Sequence, residues 1–273
     1  MTGVQTCALP ISRPAPSDGP VKPVFNAFAG GYAELYETLA EKSEADIHLD
    51  AFVSGITVDA KTSKYTIAGQ GVPGDIEPYD RVIVATPAPT TSRLLSKVAP
   101  EAAAALKPVK LASSAVVGLK LDSDAGLPDA SGMLIAADQL GVHAKAFTFS
   151  SKKWPHLKER IGDGALIRAS FGRFGDDALA REEEDTLVDY ALDDLQTITG
   201  FDARAAGVSE IYTQRWFGGL PRFDEHHLAT VMTVREKVAA QPGLEVTGAW
   251  AGGVGVPAVI ADARAAAQRI LGS

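Results

Sequence analysis

The sequence predicts a mixed α/β chain. Three observations carry that expectation: strands and helices alternate over residues 30–107, the middle of the chain is rich in short strands, and residues 243–270 read as a strand, a glycine turn and a helix. Taken in order, Gly30-Gly31 precede an apolar spacing, Leu35 and Leu39, that predicts a helix ending near Lys42. Residues 47–49, 53–58 and 65–68 read as strands, and 69–74 as a hairpin turn. Arg81-Val-Ile-Val-Ala is a buried strand that stops at Thr86-Pro87, and helices follow over 90–98 and 100–106.

Residues 113–121, 133–136, 146–150 and 165–171 are β-branched or aromatic runs bounded by turn residues, hence strands. The clearest helix covers 182–199, where Leu187, Ala191, Leu195 and Ile198 share one face. Its acidic start, Glu182 to Asp185, complements the helix dipole rather than building a metal site. A strand over 208–216 and a helix over 228–239 complete the reading before the C-terminal unit.

Composition narrows the class. The chain has 273 residues, 46% of them hydrophobic, with mean hydropathy +0.04, enough for one large or two modest cores. A net charge of −8 argues against nucleic acid, whose phosphates want clustered Lys and Arg. The richest apolar runs, 82–85 and 115–119, are strand-sized and far from the roughly 18 residues that span a bilayer. Peripheral membrane contact stays open. The single cysteine, Cys7, leaves no disulfide framework or thiolate metal site, in keeping with a cytoplasmic setting.

Residues 1–12 are expected to be foreign. Met1 to Ile11, MTGVQTCALPI, match what a sequencing-library adapter encodes from a GTG start, which makes them an assembly scar with a junction residue. The natural protein is then expected to extend upstream. Residues 13–22, rich in proline, read as a linker.

Hydrolase and P-loop motifs are missing: Gly-x-Ser-x-Gly, His-Glu-x-x-His and Gly-x-x-x-x-Gly-Lys do not occur. His226-His227 read as a polar helix start, and His48, His143 and His156 as structural; no metal site is expected. What remains is the C-terminal turn. Leu244, Val246 and Gly248 alternate as a strand does, Gly252, Gly253 and Gly255 permit tight backbone, and Pro257 suits a first helical position. Such a helix start offers free backbone N–H groups and a positive dipole end to an electron-rich ligand. No Gly-x-Gly-x-x-Gly opens the chain as the usual pyrophosphate-binding partner.

Five stretches resemble one family in order and spacing. They are Pro23-Val-Phe-Asn-Ala-Phe-Ala-Gly-Gly-Tyr, Ala85-Thr-Pro-Ala-Pro, Lys145-Ala-Phe-Thr-Phe-Ser-Ser-Lys-Lys-Trp-Pro-His, Arg215-Trp216 with Leu220-Pro-Arg-Phe, and Gly253-Val-Gly-Val-Pro. The family is protoporphyrinogen/coproporphyrinogen oxidase, an amine-oxidase-like flavoprotein, and the resemblance runs from Pro23 to the end. Departures at Ala251, Ala258 and His226 bear on fine substrate choice.

The resemblance implies the C-terminal part of a two-domain FAD oxidase: flavin-domain segments over 23–107 and 219–273 and a sheet-based substrate domain over 108–218. It implies oxidation of a porphyrinogen, coproporphyrinogen III or protoporphyrinogen IX, with dioxygen as acceptor in haem biosynthesis. FAD would meet Val53, Ala85, Thr86, Trp216, Val254, Gly255 and Val256: Val53 near the adenine, Ala85 and Thr86 at a strand end, Trp216 beside the flavin ring, and the last three against it. No catalytic side chain is named. Lys145, Lys152, Arg168 and Arg173 lie in the segment where substrate carboxylates would be held. Another flavoenzyme of the wider group, a carotenoid desaturase or monoamine oxidase type, or a non-catalytic fragment that binds FAD weakly or not at all, are the alternatives.

Overall fold

A computed structural model describes residues 26–74 and 77–272; the adapter-like residues 1–12 and the linker 13–22 lie outside them. Along the chain run α1 (Ala33–Ser43), β1 (Phe52–Val58), β2 (Tyr65–Gln70), β3 (Val82–Val84), α2 (Ala88–Leu95), α3 (Pro100–Leu106), β4 (Leu111–Leu121), β5 (Gly132–Leu134), β6 (Ala146–Phe149), α4 (Ser150–Lys153), α5 (Pro155–Ile161), β7 (Ala165–Phe171), α6 (Ala178–Arg181), α7 (Glu184–Thr199), β8 (Val208–Pro221), α8 (His227–Ala239), β9 (Leu244–Val246), α9 (Ala249–Gly252) and α10 (Val256–Leu271). The mixed α/β class is as the sequence predicts.

Two compact units divide the chain. Of the described residues, one holds those up to Ile47 together with Ser114–Trp216; the other holds those from His48 to Ser113 and those from Phe217 on. The chain passes from one to the other within β4 and again within β8. Unit edges at 113/114 and 216/217 compare with expected domain edges at 107/108 and 218/219, while residues 26–47 group with the middle segment rather than with the flanking ones.

The first unit is built on a five-stranded sheet of order β5-β6-β7-β4-β8. Strict alternation decides its faces: Ala115, Val117, Leu119 and Leu121 of β4 and Ala165, Ile167, Ala169 and Phe171 of β7 are all buried, and their neighbours in sequence are not. The buried face packs with Phe147 and Phe149 against Leu187, Ala191 and Leu195 of α7 in one cluster. Helix α7 starts with Glu184 and Asp185, which suit the positive dipole end, and stops at Gly200, whose φ of 74° is left-handed. Its buried Asp194 accepts the backbone N–H groups of His143 and Ala144 at 2.8 and 2.7 Å, and the His143 ring stacks on Tyr190 at 3.7 Å. His143 is therefore structural, as its isolation in the sequence suggests.

The second unit packs the β1–β2 hairpin and the short parallel pair β3–β9 with α2, α3 and α8 around Ile56, Tyr65, Leu95, Leu106, Val234 and Trp250. Helix α3 takes Pro100 at its start and four alanines inside, a favourable helical sequence. Val82 N–H donates to Gly243 O at 2.8 Å and Thr247 N–H to Val84 O at 3.0 Å, which fixes the parallel register of β3 and β9. The Tyr65 hydroxyl donates to Pro242 O at 2.6 Å, and burial pushes its pKa up.

Several expectations need correction. Residues 47–49 form no strand: Ile47 and Leu49 are exposed, and Asp50 turns the chain at φ 56° into β1. The hairpin turn lies over residues 59–64 rather than 69–74, held by Asp59 Oδ1, which accepts the N–H groups of Lys61 and Thr62 at 2.8 Å each. Those bonds hold the Asp59 carboxyl below the usual carboxylate range. Strand β2 runs on to Gln70 because Gly69 crosses the Phe52 carbonyl, where a Cβ would come within 1.9 Å. Gly69-Gln-Gly71-Val-Pro-Gly74 has the Gly-x-Gly-x-x-Gly spacing, yet it follows an antiparallel hairpin strand and no helix opens in the described residues before β3, so the context of a dinucleotide fingerprint is missing. Strand β8 continues past Trp216 to Pro221, and the short helices α4, α5, α6 and α9 have too few residues to show a period.

Candidate functional site

In the second unit, the carboxyl ends of β3 and β9 lie side by side, the place where open parallel sheets bind ligands. After β3 come Ala85, Thr86 and Pro87; after β9 come Thr247, Gly248 and the single turn α9. Trp250 of α9, 2% exposed, donates its indole N–H to Thr86 O at 3.1 Å and so ties the two strand ends together. Thr86 O also accepts from the Thr91 hydroxyl at 2.7 Å. Ala85, Thr86, Gly218, Ala249 and Trp250 line a cavity of about 150 Å³.

The turn from α9 to α10 uses its glycines for different reasons. Gly248 and Gly253 have φ of 131° and 117°, which L side chains rarely adopt. Gly255, the N-cap of α10, has an ordinary φ of −76°; a Cβ there would meet only Pro257 Cδ, at 3.9 Å. Its lack of a side chain leaves the backbone open to approach. Helix α10 makes its first intrahelical bond from Val259 N–H to Gly255 O, Pro257 has no N–H, and the amides of Val256 and Ala258 head the helix at its positive end. Val254 and Val256 on either side are exposed.

A buried network fixes this helix. Asp262 of α10 accepts the Thr247 hydroxyl at 2.7 Å and is ion-paired with Arg235 of α8. Arg235 also reaches Ala251 O, and His227 Nε2 lies 2.7 Å from Trp250 O. Helices α8 and α10 and the end of β9 thus share one set of polar contacts behind the turn. His227 enters it as a structural residue, and among the described residues no group of three His, Cys, Asp or Glu could hold a metal ion.

The residues named from sequence fall into three places. Ala85 and Thr86 share the small cavity with the start of the glycine turn, and Val254, Gly255 and Val256 sit exposed at the end of that turn. Val53 is half-buried against the core of the same unit, just before a bulge in β1, and does not line the cavity. Trp216 is exposed on β8 in the first unit. Of the four cations considered for carboxylates, Lys145 donates to Gly172 O at 2.6 Å, Arg173 to Ile135 O at 2.9 Å, and Lys152 faces Asp124 at 3.5 Å. Burial, with Arg173 beside it, pushes the Lys145 ammonium pKa down. Arg168 alone of the four lines a large cavity in its unit. Sequence reading passed over Trp250, although a tryptophan inside a glycine turn was visible there.

Comparison with known proteins bears on this arrangement. Residues 8–271 match the family model described as flavin containing amine oxidoreductase. The coproporphyrinogen III oxidase of Mycobacterium tuberculosis (strain ATCC 25618 / H37Rv) is 35% identical over 259 residues, 95% of this chain and 53% of that protein. That of Mycobacterium leprae (strain TN) is 36% identical over 248 residues, 91% of this chain and 52% of that one. The chain thus spans about half the length of the curated relatives it matches. Among solved structures, a protein assigned as a protoporphyrinogen oxidase from Exiguobacterium sp. 255-15 superposes with a TM-score of 0.78 at 27% identity, over 90% of this chain and 52% of that one. A putrescine oxidase variant superposes at 0.64 with 18% identity, over 90% and 54%, a likeness of fold alone.

Proposed function

The chain belongs to the flavin containing amine oxidoreductase family, and from that premise we propose that it supplies the ring-facing part of an FAD enzyme that oxidises a porphyrinogen to the porphyrin with dioxygen as acceptor, in haem biosynthesis. The observation that carries the substrate is the relatives: those at 35–36% identity are coproporphyrinogen III oxidases. Coproporphyrinogen III is accordingly the first substrate to test, with protoporphyrinogen IX beside it.

The residues present fit the ring end of FAD. Free amides at the start of α10 suit the electron-rich edge of the ring, exposed Val254 and Val256 suit its apolar faces, and Gly255 lets the backbone come close. When bound, FAD takes electron pairs from the porphyrinogen and hands them to dioxygen. The chain's own part is to orient and to stabilise charge: the Val256 and Ala258 amides point a fixed positive end at the site, and the Asp262 network holds them there at no cost of reorganisation. Ala85 and Thr86 border the site from the end of β3. Val53 and Trp216 keep the roles the family resemblance implies, a backbone contact to adenine and an aromatic beside the ring.

The experiment is oxygen-dependent porphyrin formation by the protein extended in its own gene to the relatives' length. Porphyrin fluorescence appearing from coproporphyrinogen III under air, and not under argon, is the expected result. Turnover of a primary amine or a carotene with no porphyrin formed would move the protein to another branch of the flavin group.

A further inference from the structure

The first unit holds a cavity of about 830 Å³, within the range of small-molecule sites, on the face of the sheet turned away from the core. Its position follows from register. Arg168 of β7 stands opposite Gly118 of β4, and Leu166 opposite Lys120, so a residue without a side chain leaves a hollow beside an arginine. Phe28, Trp154 and Tyr212 contribute broad apolar surface to the wall.

The charge of the cavity runs against that of the chain. Acids outnumber bases overall, giving a net charge of −8, yet the cavity brings together Lys120, Arg160, Arg168 and His156 against one carboxylate, Glu210. Glu210 is taken by Lys120 at 2.5 Å. Among the described residues, Arg160 and Arg168 make no side-chain hydrogen bond or ion pair, whereas Arg204, Arg235 and Arg269 are all paired with carboxylates. Two guanidiniums without acids, set in an aromatic wall, are complementary to a flat apolar body that carries carboxylates at its rim.

We propose that this cavity binds the carboxylates of a tetrapyrrole, with Arg160 and Arg168 as their ligands and the apolar wall taking the macrocycle. The proposal rests on the porphyrinogen reading for the identity of the ligand and on the cavity for its place. It assigns a preference as well: a macrocycle with four propionates gains more from this rim than one with two.

Titration of the 273-residue chain, without flavin, with coproporphyrin III tests it by the shift of the porphyrin absorption band. Arg160→Gln and Arg168→Gln are each expected to weaken binding about tenfold. Glu210→Gln, which frees Lys120 and removes the opposing charge, is expected to tighten it. Both arginines and Glu210 are exposed, so circular dichroism and melting should match the parent. The tetramethyl ester of coproporphyrin should bind equally to all four proteins. Arginine variants that bind the acid as the parent does, an ester that competes as well as the acid, or no binding at all would overturn the proposal. The oxidase reading is judged separately: porphyrin formation with an unchanged KM in the arginine variants removes the cavity and leaves the oxidase, whereas porphyrin binding lost in those variants without any oxidation does the reverse.

Discussion

Trp250→Ala is expected to destabilise the second unit by about 3–5 kcal/mol, read as a fall in its urea midpoint. The indole is 2% exposed and belongs to the core cluster that also holds Leu95, Leu106 and Val234. Removing it opens a large void at the one place where the ends of β3 and β9 are tied. Trp250→Phe separates packing from hydrogen bonding. It keeps most of the apolar contact and loses only the N–H to Thr86 O, which still accepts from the Thr91 hydroxyl, so the expected cost is about 1 kcal/mol. Equal losses for the two variants would mean that the hydrogen bond, not the ring, holds the turn.

Asp262→Ala is expected to cost about 2–4 kcal/mol in the same measurement. The carboxylate is 8% exposed and its partner Arg235 is 33% exposed, so solvent screens one end of the pair and the figure lies below that of a fully buried pair. The loss has two parts. Arg235 is left without an acid, and Thr247 loses the acceptor of its hydroxyl. Asp262→Asn keeps an acceptor for Thr247 and should recover part of the loss. An Ala variant as stable as the parent would show that α10 is held by its apolar face alone.

Much of this fold was legible from residue pattern. Strand β7 and helix α3 have the bounds their sequences predict, because flanking Gly164 and Gly172 in one and proline followed by alanines in the other leave little competition. The C-terminal strand and helix were equally plain, and only the single turn α9 between them was hidden, being too short for a period. Strand β8 outran its expected end at Trp216 because Gly218 reads as a stop. In the structure Gly218 adopts a left-handed φ of 59° and its N–H donates to Ser113 Oγ at 3.1 Å, and the strand runs on past it to Pro221. Residues 47–49 fail in the opposite sense: Ile47 and Leu49 are apolar, yet the segment finds no strand to pair with.

The candidate sites divide the same way. Ala85, Thr86 and the residues of the glycine turn are close in sequence to recognisable strand ends, so a local pattern finds them. The cavity of the first unit is assembled from Lys120, Arg160, Arg168 and Glu210, which come from β4, α5, β7 and β8. Sheet order and the packing of α5 bring them together, and no spacing along the chain announces it. Lys145, Lys152 and Arg173, equally plausible as cations in the sequence, serve backbone carbonyls or Asp124 instead.

The central claim is that the start of α10 faces the flavin ring, and Gly255→Leu tests it most directly. Gly255 has φ −76° and ψ 141°, open to any residue, with no atom near enough to clash, so the variant should fold and melt as the parent does. In the protein extended to the relatives' length, the added side chain should stand between backbone and ring and lower FAD affinity at least about tenfold, a change of about 1.4 kcal/mol. Flavin absorbance per protein, measured after gel filtration, is the reading. Loss of flavin with unchanged circular dichroism is the predicted result; a Gly255→Leu variant that retains flavin in full would contradict the claim.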